Sequence, residues 1–377
     1  MTVLHVLGAE EDTGGILSVL RNLQAATRAK DCKHVVLVNR RFKETRRPGL
    51  AYRYSRYLVA ESPQHFSLLI RAIVSLPEVI GLVWREGFEV VHAHSRGAFP
   101  IACMLAVAGL GVVFTNHAYA RRTGMYRAAR CIKNLHTVCL TPNMARHYGL
   151  PTGSTRVHII SACCADRFFE LPLVQRKESC ASGEVIRLVG LGNIVRWKNW
   201  HLVLEALSKL SKDDLARVRF DHWGPVASDP DSQNYHSELI KKTQNDGLSE
   251  HCSFHGPSHS VEDVLARADW FVIPSTNEPC SVALIEALAM GVPAIASASG
   301  GNLDIVRAEQ TGLFFEPGSA ESLAQCLRRI VRGDVAMCDG VVLRESVRHR
   351  SASAVAAQYL TLYEQIARRK QNREARS

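Results

Sequence analysis

Two carboxylates, Glu278 and Glu286, flank Ser281 in the stretch PSTNEPCSVALIEALAMGVP at 274–293. Residues 270–275 read as a buried strand, and the good helix formers at 282–290 end at Gly291, with Pro293 beyond. Ser281 is the natural N-cap, so Glu278 belongs to the loop before the helix and Glu286 lies about one turn inside it. Between the two acids, free backbone N–H groups and the positive end of the helix dipole make an anion site. Carboxylates hold diols and a helix N-terminus holds phosphate; hydroxyls, then phosphate, then hydroxyls is the layout of a nucleotide sugar. A loop acid beside a solvated helix acid is the plain alternative. A glycosidase pair is the other chemical one. The helix N-terminus between the acids favours phosphate.

A second group of residues could answer the charge on such a ligand. The run GLGNIVRWKN at 190–199 leaves a strand and precedes a helix at 202–210, so Arg196 and Lys198 are placed to neutralise a leaving diphosphate. Near the start, Gly14 and Gly15 follow the opening strand and would let the backbone approach a ligand at a helix start. His92 and His94 share one face of a strand, with His117 at the end of another. No carboxylate or cysteine accompanies them at ligand spacing, so no metal is expected there. Asp229-Pro230-Asp231 has the spelling of a metal-binding D-x-D, but its polar surroundings read as a surface turn.

The segment from Glu278-Pro279 through Glu286-Ala287 to Gly300-Gly301 resembles the E-x7-E signature of the retaining glycosyltransferases of family 4, and the likeness is densest over 185–330. The resemblance implies the GT-B fold of two facing Rossmann-like domains. It also implies that Glu286 holds the ribose hydroxyls, that Glu278 contacts the transferred sugar, and that Ser281, Val282 and Ala283 meet the sugar or its phosphate. Lys198 matches the family's diphosphate-binding lysine. Asn193 stands where the family has arginine, and Arg196 is expected to substitute for it. His117 matches the histidine that contacts the sugar near its reactive carbon, and Gly14 and Gly15 match the glycine-rich loop after the first strand. The I-S-A-C-C run at 160–164 departs from the family's I-P-N-G. No metal or other cofactor is implied, the donor being a nucleoside-diphosphate sugar. Expected partners are that donor, a lipid-linked or polysaccharide acceptor, and an anionic membrane surface. A nucleotide-sugar epimerase and a non-catalytic partner protein on the same fold are the rivals, Asn193 favouring the second.

Elements able to position these residues recur along the chain. Short β-branched runs at 3–8, 34–39, 90–94, 112–117, 137–141 and 157–161, and again at 186–192, 218–224, 252–256, 270–275, 293–299 and 312–317, alternate with helix-length stretches. That is the pattern of parallel sheets covered on both faces. The reading is α/β, two doubly wound domains in tandem: an acceptor-side domain at 1–170, a linker at 171–184 and a donor domain at 185–350. A C-terminal helix at about 352–370 packs back on the first. Sites in such sheets lie outside the carboxyl ends of the strands, where every motif above sits.

Size and charge agree with this division. A chain of 377 residues exceeds the ~250–300 at which single cores stop growing. With 46% apolar and 22% charged residues it is neither disordered nor fibrous. The formal charge of +10 is carried by the first half: residues 1–170 hold 22 Lys and Arg against 11 Asp and Glu. Such a basic half fits a polyanionic partner. The stretch 40–57, with seven arginines and lysines and four aromatic residues against Glu44 alone, reads as a membrane-docking surface. No nucleic-acid module accompanies the charge. Eleven cysteines without a CxxC pair, and a Met1 end without signal-peptide pattern, read as a cytoplasmic protein, peripheral on the cytoplasmic face of a membrane. The uncharged run 98–115 contains Pro100, Gly109 and Gly111 and reads as a buried helix, a turn and a strand.

Overall fold

The computed structural model describes residues 1–8, 15–44, 49–58, 65–174 and 184–374. The chain divides into two units: Met1–Cys163 with Ala352–Ser377, and Cys164–Ser351. The division falls ahead of the expected linker. Residues 164–174 pack with the second unit: Val174 N donates to Met290 O at 2.9 Å and Arg344 Nη2 to Leu171 O at 2.6 Å.

The first unit is built on seven strands, β1 (Thr2–Leu7), β2 (Lys33–Asn39), β3 (Ala51–Ser55), β4 (Val90–His94), β5 (Val112–Asn116), β6 (Leu135–Cys139) and β7 (Val157–Ile159). They run parallel in the order β3-β2-β1-β4-β5-β6-β7. The second unit has β8 (Ile186–Leu191), β9 (Val218–Trp223), β10 (Cys252–Phe254), β11 (Trp270–Ile273), β12 (Ala294–Ser297) and β13 (Gly312–Phe315), ordered β10-β9-β8-β11-β12-β13. Each sheet reverses its strand order once, between β1 and β4 and between β8 and β11. Such a reversal opens a crevice beyond the strand ends, which is where doubly wound sheets hold ligands.

Helices cover the sheets because both faces of parallel strands carry apolar side chains. In the second unit Leu188, Trp200, Leu204, Phe220, Val272 and Leu327 form one buried cluster. In the first, the helix Ala352–Glu374 lies against the helix Gly15–Thr27 and β4. Tyr363 is buried there, its hydroxyl 2.6 Å from Nδ1 of His92 on β4.

Within the basic stretch at 40–57 the structure has a strand that the sequence pattern does not show: β3 pairs with β2 in register from Val35↔Ala51 to Asn39↔Ser55. As an edge strand it carries charge outward, which blocks further strand pairing. Arg53 is bound by Glu86 at 2.9 Å and Tyr54 by Glu44 at 3.0 Å, while Arg46 and Arg47 lie outside the described residues. Asp229-Pro230-Asp231 is a helix start and not a surface turn. Asp229 caps the helix Pro230–Asn245 by accepting from Ser232 N at 3.0 Å, with Pro230 in the first turn, where its missing N–H costs nothing.

The C-terminal helix is thereby tied to the sheet by a buried polar contact. Tyr363→Phe removes the partner of His92 Nδ1 and is expected to cost about 1–3 kcal/mol, read as a lower urea midpoint for the full chain. An unchanged midpoint would mean that apolar packing alone holds this helix.

Candidate donor site

In the second unit, the loops leaving β8 and β11 are neighbours because those strands are neighbours at the reversal point. Lys198 stands in the tight turn after β8 and Glu278 in the loop after β11, and their Nζ and Oε2 atoms meet at 2.6 Å. Both side chains are largely shielded from solvent. Asn199, held at φ +58°, extends the same link by donating from Nδ2 to Thr276 Oγ1 at 2.9 Å. On the other side, the turn after β12 grips the Glu278 loop. Gly301 N donates to Glu278 O at 2.7 Å, and Asn277 N donates to Ser299 Oγ at 3.1 Å. No side chain fits at this contact: a Cβ on Gly301 would lie 2.1 Å from Pro279 O, and one on Gly300, which has φ +57°, 2.7 Å from Glu278 O.

Ser281 caps the helix Val282–Ala289, its Oγ accepting from Leu284 N at 3.2 Å. The amides of Val282 and Ala283 in the first turn have no intrahelical acceptor, as at any helix start, and they follow directly on the Glu278 loop. Glu286 sits one turn further in. Burial, reinforced by the nearby Glu262 carboxylate and opposed by Arg167, pushes its carboxyl up to about 8. Beneath the loop lies buried Arg350, whose Nη2 donates to Asp304 O at 3.0 Å and whose Nη1 approaches Cys280 Sγ at 3.7 Å. Lys198, Glu278, Ser281, Val282, Ala283 and Glu286 are thus gathered around one helix start.

Arg196 is not part of that gathering as expected. Its guanidinium is held by Glu238 at 2.9 and 3.1 Å and by Asp231 at 3.2 Å, over the ring of Tyr235. These carboxylates come from the helix Pro230–Asn245, and they raise the guanidinium above its ordinary range. To reach a diphosphate Arg196 would have to leave both acids. Asn193 contributes its carbonyl to Trp200 Nε1 at 3.2 Å, an anchor for the turn that carries Lys198.

In the first unit Gly15 opens the helix Gly15–Thr27, and Gly14 lies outside the described residues. His117, just past β5, ends a line of hydrogen-bonded imidazoles that the sequence reading did not find. His5 and His34 each look like single polar residues in apolar strands, and only the pairing of β1 with β2 and β4 lines them up. The rings run His34 Nδ1 to His5 Nε2 at 2.7 Å, His5 Nδ1 to His94 Nε2 at 2.9 Å, and His94 Nδ1 to His117 Nε2 at 3.1 Å. Burial holds all four well below the usual imidazole range, His34 and His117 at about 4, so they are neutral at pH 7.

A neutral imidazole donates once and accepts once, so the far end fixes the whole line. Thr27 Oγ1 is 2.8 Å from Leu23 O, a carbonyl that can only accept, so the hydroxyl donates there and accepts from His34 Nε2 at 3.0 Å. Each ring therefore carries its proton on Nε2, and His117 is left with a lone pair on Nδ1. No partner for that atom is found among the described residues. His5, His92 and His94 also come close enough for one metal ion. Their nitrogens are already used, however: His92 meets Tyr363 Oη at 2.6 Å and Thr115 Oγ1 at 2.7 Å, and no anionic ligand joins them among the described residues. The tautomer is directly observable. Histidine ¹⁵N spectra at pH 7.5 should show His117 protonated on Nε2 and bare on Nδ1; the reverse pattern would break the line.

Comparison with known proteins follows this geometry. Residues 175–340 match the model of the family described as glycosyl transferases group 1. The chain is 25% identical over 255 residues to the lipopolysaccharide core biosynthesis glycosyltransferase LpsE of Rhizobium meliloti, spanning 68% of this chain and just under two thirds, 66%, of that protein. Among solved structures, the sucrose-phosphate synthase of Thermosynechococcus elongatus superposes with a TM-score of 0.78 at 19% identity, covering 97% of this chain and 98% of that one. HepE of Anabaena in complex with UDP gives 0.72 at 13% identity, covering 97% of this chain and all of that one. Over residues 175–340 the chain is therefore similar to the group 1 glycosyl transferases, and the whole chain has the two-unit GT-B fold.

Proposed function

We propose that the protein is a retaining glycosyltransferase that moves a hexose from a nucleoside-diphosphate sugar to a lipid-linked or polysaccharide acceptor. The observation that carries this reading is the junction of Lys198, Glu278 and the start of the helix Val282–Ala289, with Glu286 one turn beyond. An arriving diphosphate competes with Glu278 for the Lys198 ammonium and takes the first-turn amides as further donors. Glu278, released, accepts from hydroxyls of the transferred sugar, and Glu286 from the ribose. The bond from the anomeric carbon to the phosphate oxygen breaks, and a bond to the acceptor oxygen forms on the same face. The acceptor proton passes to the departing phosphate oxygen, so no protein base is required. Lys198 and the helix start stabilise the charge that grows on that oxygen.

Because a lysine and backbone amides supply the positive charge, transfer is expected to survive excess EDTA. The similarity to a lipopolysaccharide core enzyme supports a cell-envelope glycan or its lipid carrier as acceptor. Cys32, Cys103, Cys131, Cys139, Cys252 and Cys326 are thiols, which suits the reducing cytoplasmic side of a membrane. The capture of Arg196 by Asp231 and Glu238 favours one rival, a partner protein that has lost the donor.

Calorimetric titration of the full chain with UDP separates these readings. The transferase binds UDP; Lys198→Ala weakens binding roughly 10- to 100-fold, about 1.5–3 kcal/mol, and Arg196→Ala changes it little. Absence of binding of UDP, GDP and ADP alike in the wild type supports the non-catalytic partner. The same titration reports on Glu286. Its raised carboxyl is protonated at pH 7, whereas holding a ribose diol favours the carboxylate, so binding should release a proton and tighten as pH rises towards 8. Glu286→Gln should abolish both effects, and pH-independent binding by the wild type would remove Glu286 from the ribose.

A further inference from the structure

The first unit contains a trough of about 1230 Å³, larger than the ~300–1,000 Å³ of ordinary small-molecule sites. Leu68, Phe99, Met104, Met125, Tyr126 and Ile132 make its walls overwhelmingly apolar. The charged residues lining it are all cations, Arg96, Arg121 and Arg122, of which Arg121 and Arg122 are exposed. Both belong to the loop that follows β5 and His117. On the helix His65–Glu86, which supplies Leu68 and Leu69, the residues Leu69, Ile70, Ile73 and Val74 are 43–53% exposed. Apolar surface therefore continues beyond the trough.

The charge around it is one-sided. Between Glu89 and Asp166 the chain has eight arginines and lysines and no aspartate or glutamate. An apolar cavity would not need this, and a sugar site would offer hydrogen-bonding side chains instead of methionine, leucine and phenylalanine walls. A ligand complementary to both features has a long apolar chain and a compact, multiply charged anionic head.

We propose that this trough takes the chain of a lipid diphosphate, the carrier end of the acceptor, with Arg96, Arg121 and Arg122 holding the diphosphate. The proposal rests on the transferase reading and names the acceptor class within it. Guanidinium groups pair with phosphate oxygens in bidentate fashion, and Arg121 and Arg122 lie in the loop that follows His117, which is where the carrier head would sit. The sugar attached to that head would then be the group that receives the hexose.

The test uses the full chain with farnesyl diphosphate as probe, against farnesol, which lacks the anion, and inorganic pyrophosphate, which lacks the chain. Farnesyl diphosphate should bind at least tenfold more tightly than either. The exposed pair Arg121→Glu/Arg122→Glu should remove most of that advantage, and Met125→Glu, at a position 57% exposed, should weaken farnesyl diphosphate while sparing pyrophosphate. UDP titration of the same samples confirms folding and keeps the two readings apart, because a donor site can fail while the trough binds, and the reverse. Equal affinity for farnesol and farnesyl diphosphate, or no loss in the double variant, overturns the proposal. So does binding to phosphatidylglycerol vesicles with none to farnesyl diphosphate, which would make this face a membrane-docking surface.

Discussion

The contact between Lys198 and Glu278 at 2.6 Å is the interaction on which the proposed donor site depends. Two opposite charges taken largely out of water tolerate each other only when paired, and losing either partner strands the other. The fold answers with several separate holds on the same few residues. Trp200 fixes the carbonyl of Asn193, Asn199 fixes Thr276, Ser299 fixes the amide of Asn277, and Gly301 fixes the carbonyl of Glu278. The glycines at 300 and 301 leave no room for the loop to retreat, since any side chain would meet the carbonyls of Glu278 and Pro279. A pair so placed joins an ammonium able to donate to phosphate oxygens with a carboxylate able to accept from hydroxyls.

The first unit uses a different device at the equivalent reversal of its sheet. Strands β1, β2 and β4 bring histidines into line, with His5 beside His92 in register and His94 beside Leu7. A single buried histidine is costly unless its polar atoms are satisfied, and here each ring satisfies the next. The line begins at a threonine whose hydroxyl is already committed to a carbonyl, so its polarity is set by a helix rather than by a substrate. What the line delivers at its open end is a neutral acceptor on His117, suited to a hydroxyl and unsuited to a carboxylate.

Much of this was legible in the residues, and the reason differs by element. Runs such as VVHAH at 90–94 and VVFTN at 112–116 announce buried parallel strands because both faces are apolar. β3 escaped notice because AYRYS alternates aromatic and charged residues on an edge, where only one side is covered. Glu278, Ser281 and Glu286 could be placed together because one loop and one helix turn carry all three. The partners of Arg196 could not, since Asp231 and Glu238 lie on a helix whose first residues read as a turn. The meeting of Lys198 with Glu278 depends on β8 and β11 being neighbours, which no local pattern encodes. Arg350 was hidden for the same reason, its burial beneath Cys280 contradicting the solvated look of the basic run around it.

The central claim is that Lys198, Glu278, Glu286 and the start of one helix form a nucleoside-diphosphate site. A crystal structure of the full chain with UDP tests it most directly. The account predicts the diphosphate on the amides of Val282 and Ala283, the Lys198 ammonium drawn from Glu278 to a phosphate oxygen, and the ribose hydroxyls on Glu286. UDP bound elsewhere, or bound through a metal ion with Lys198 still on Glu278, would contradict it.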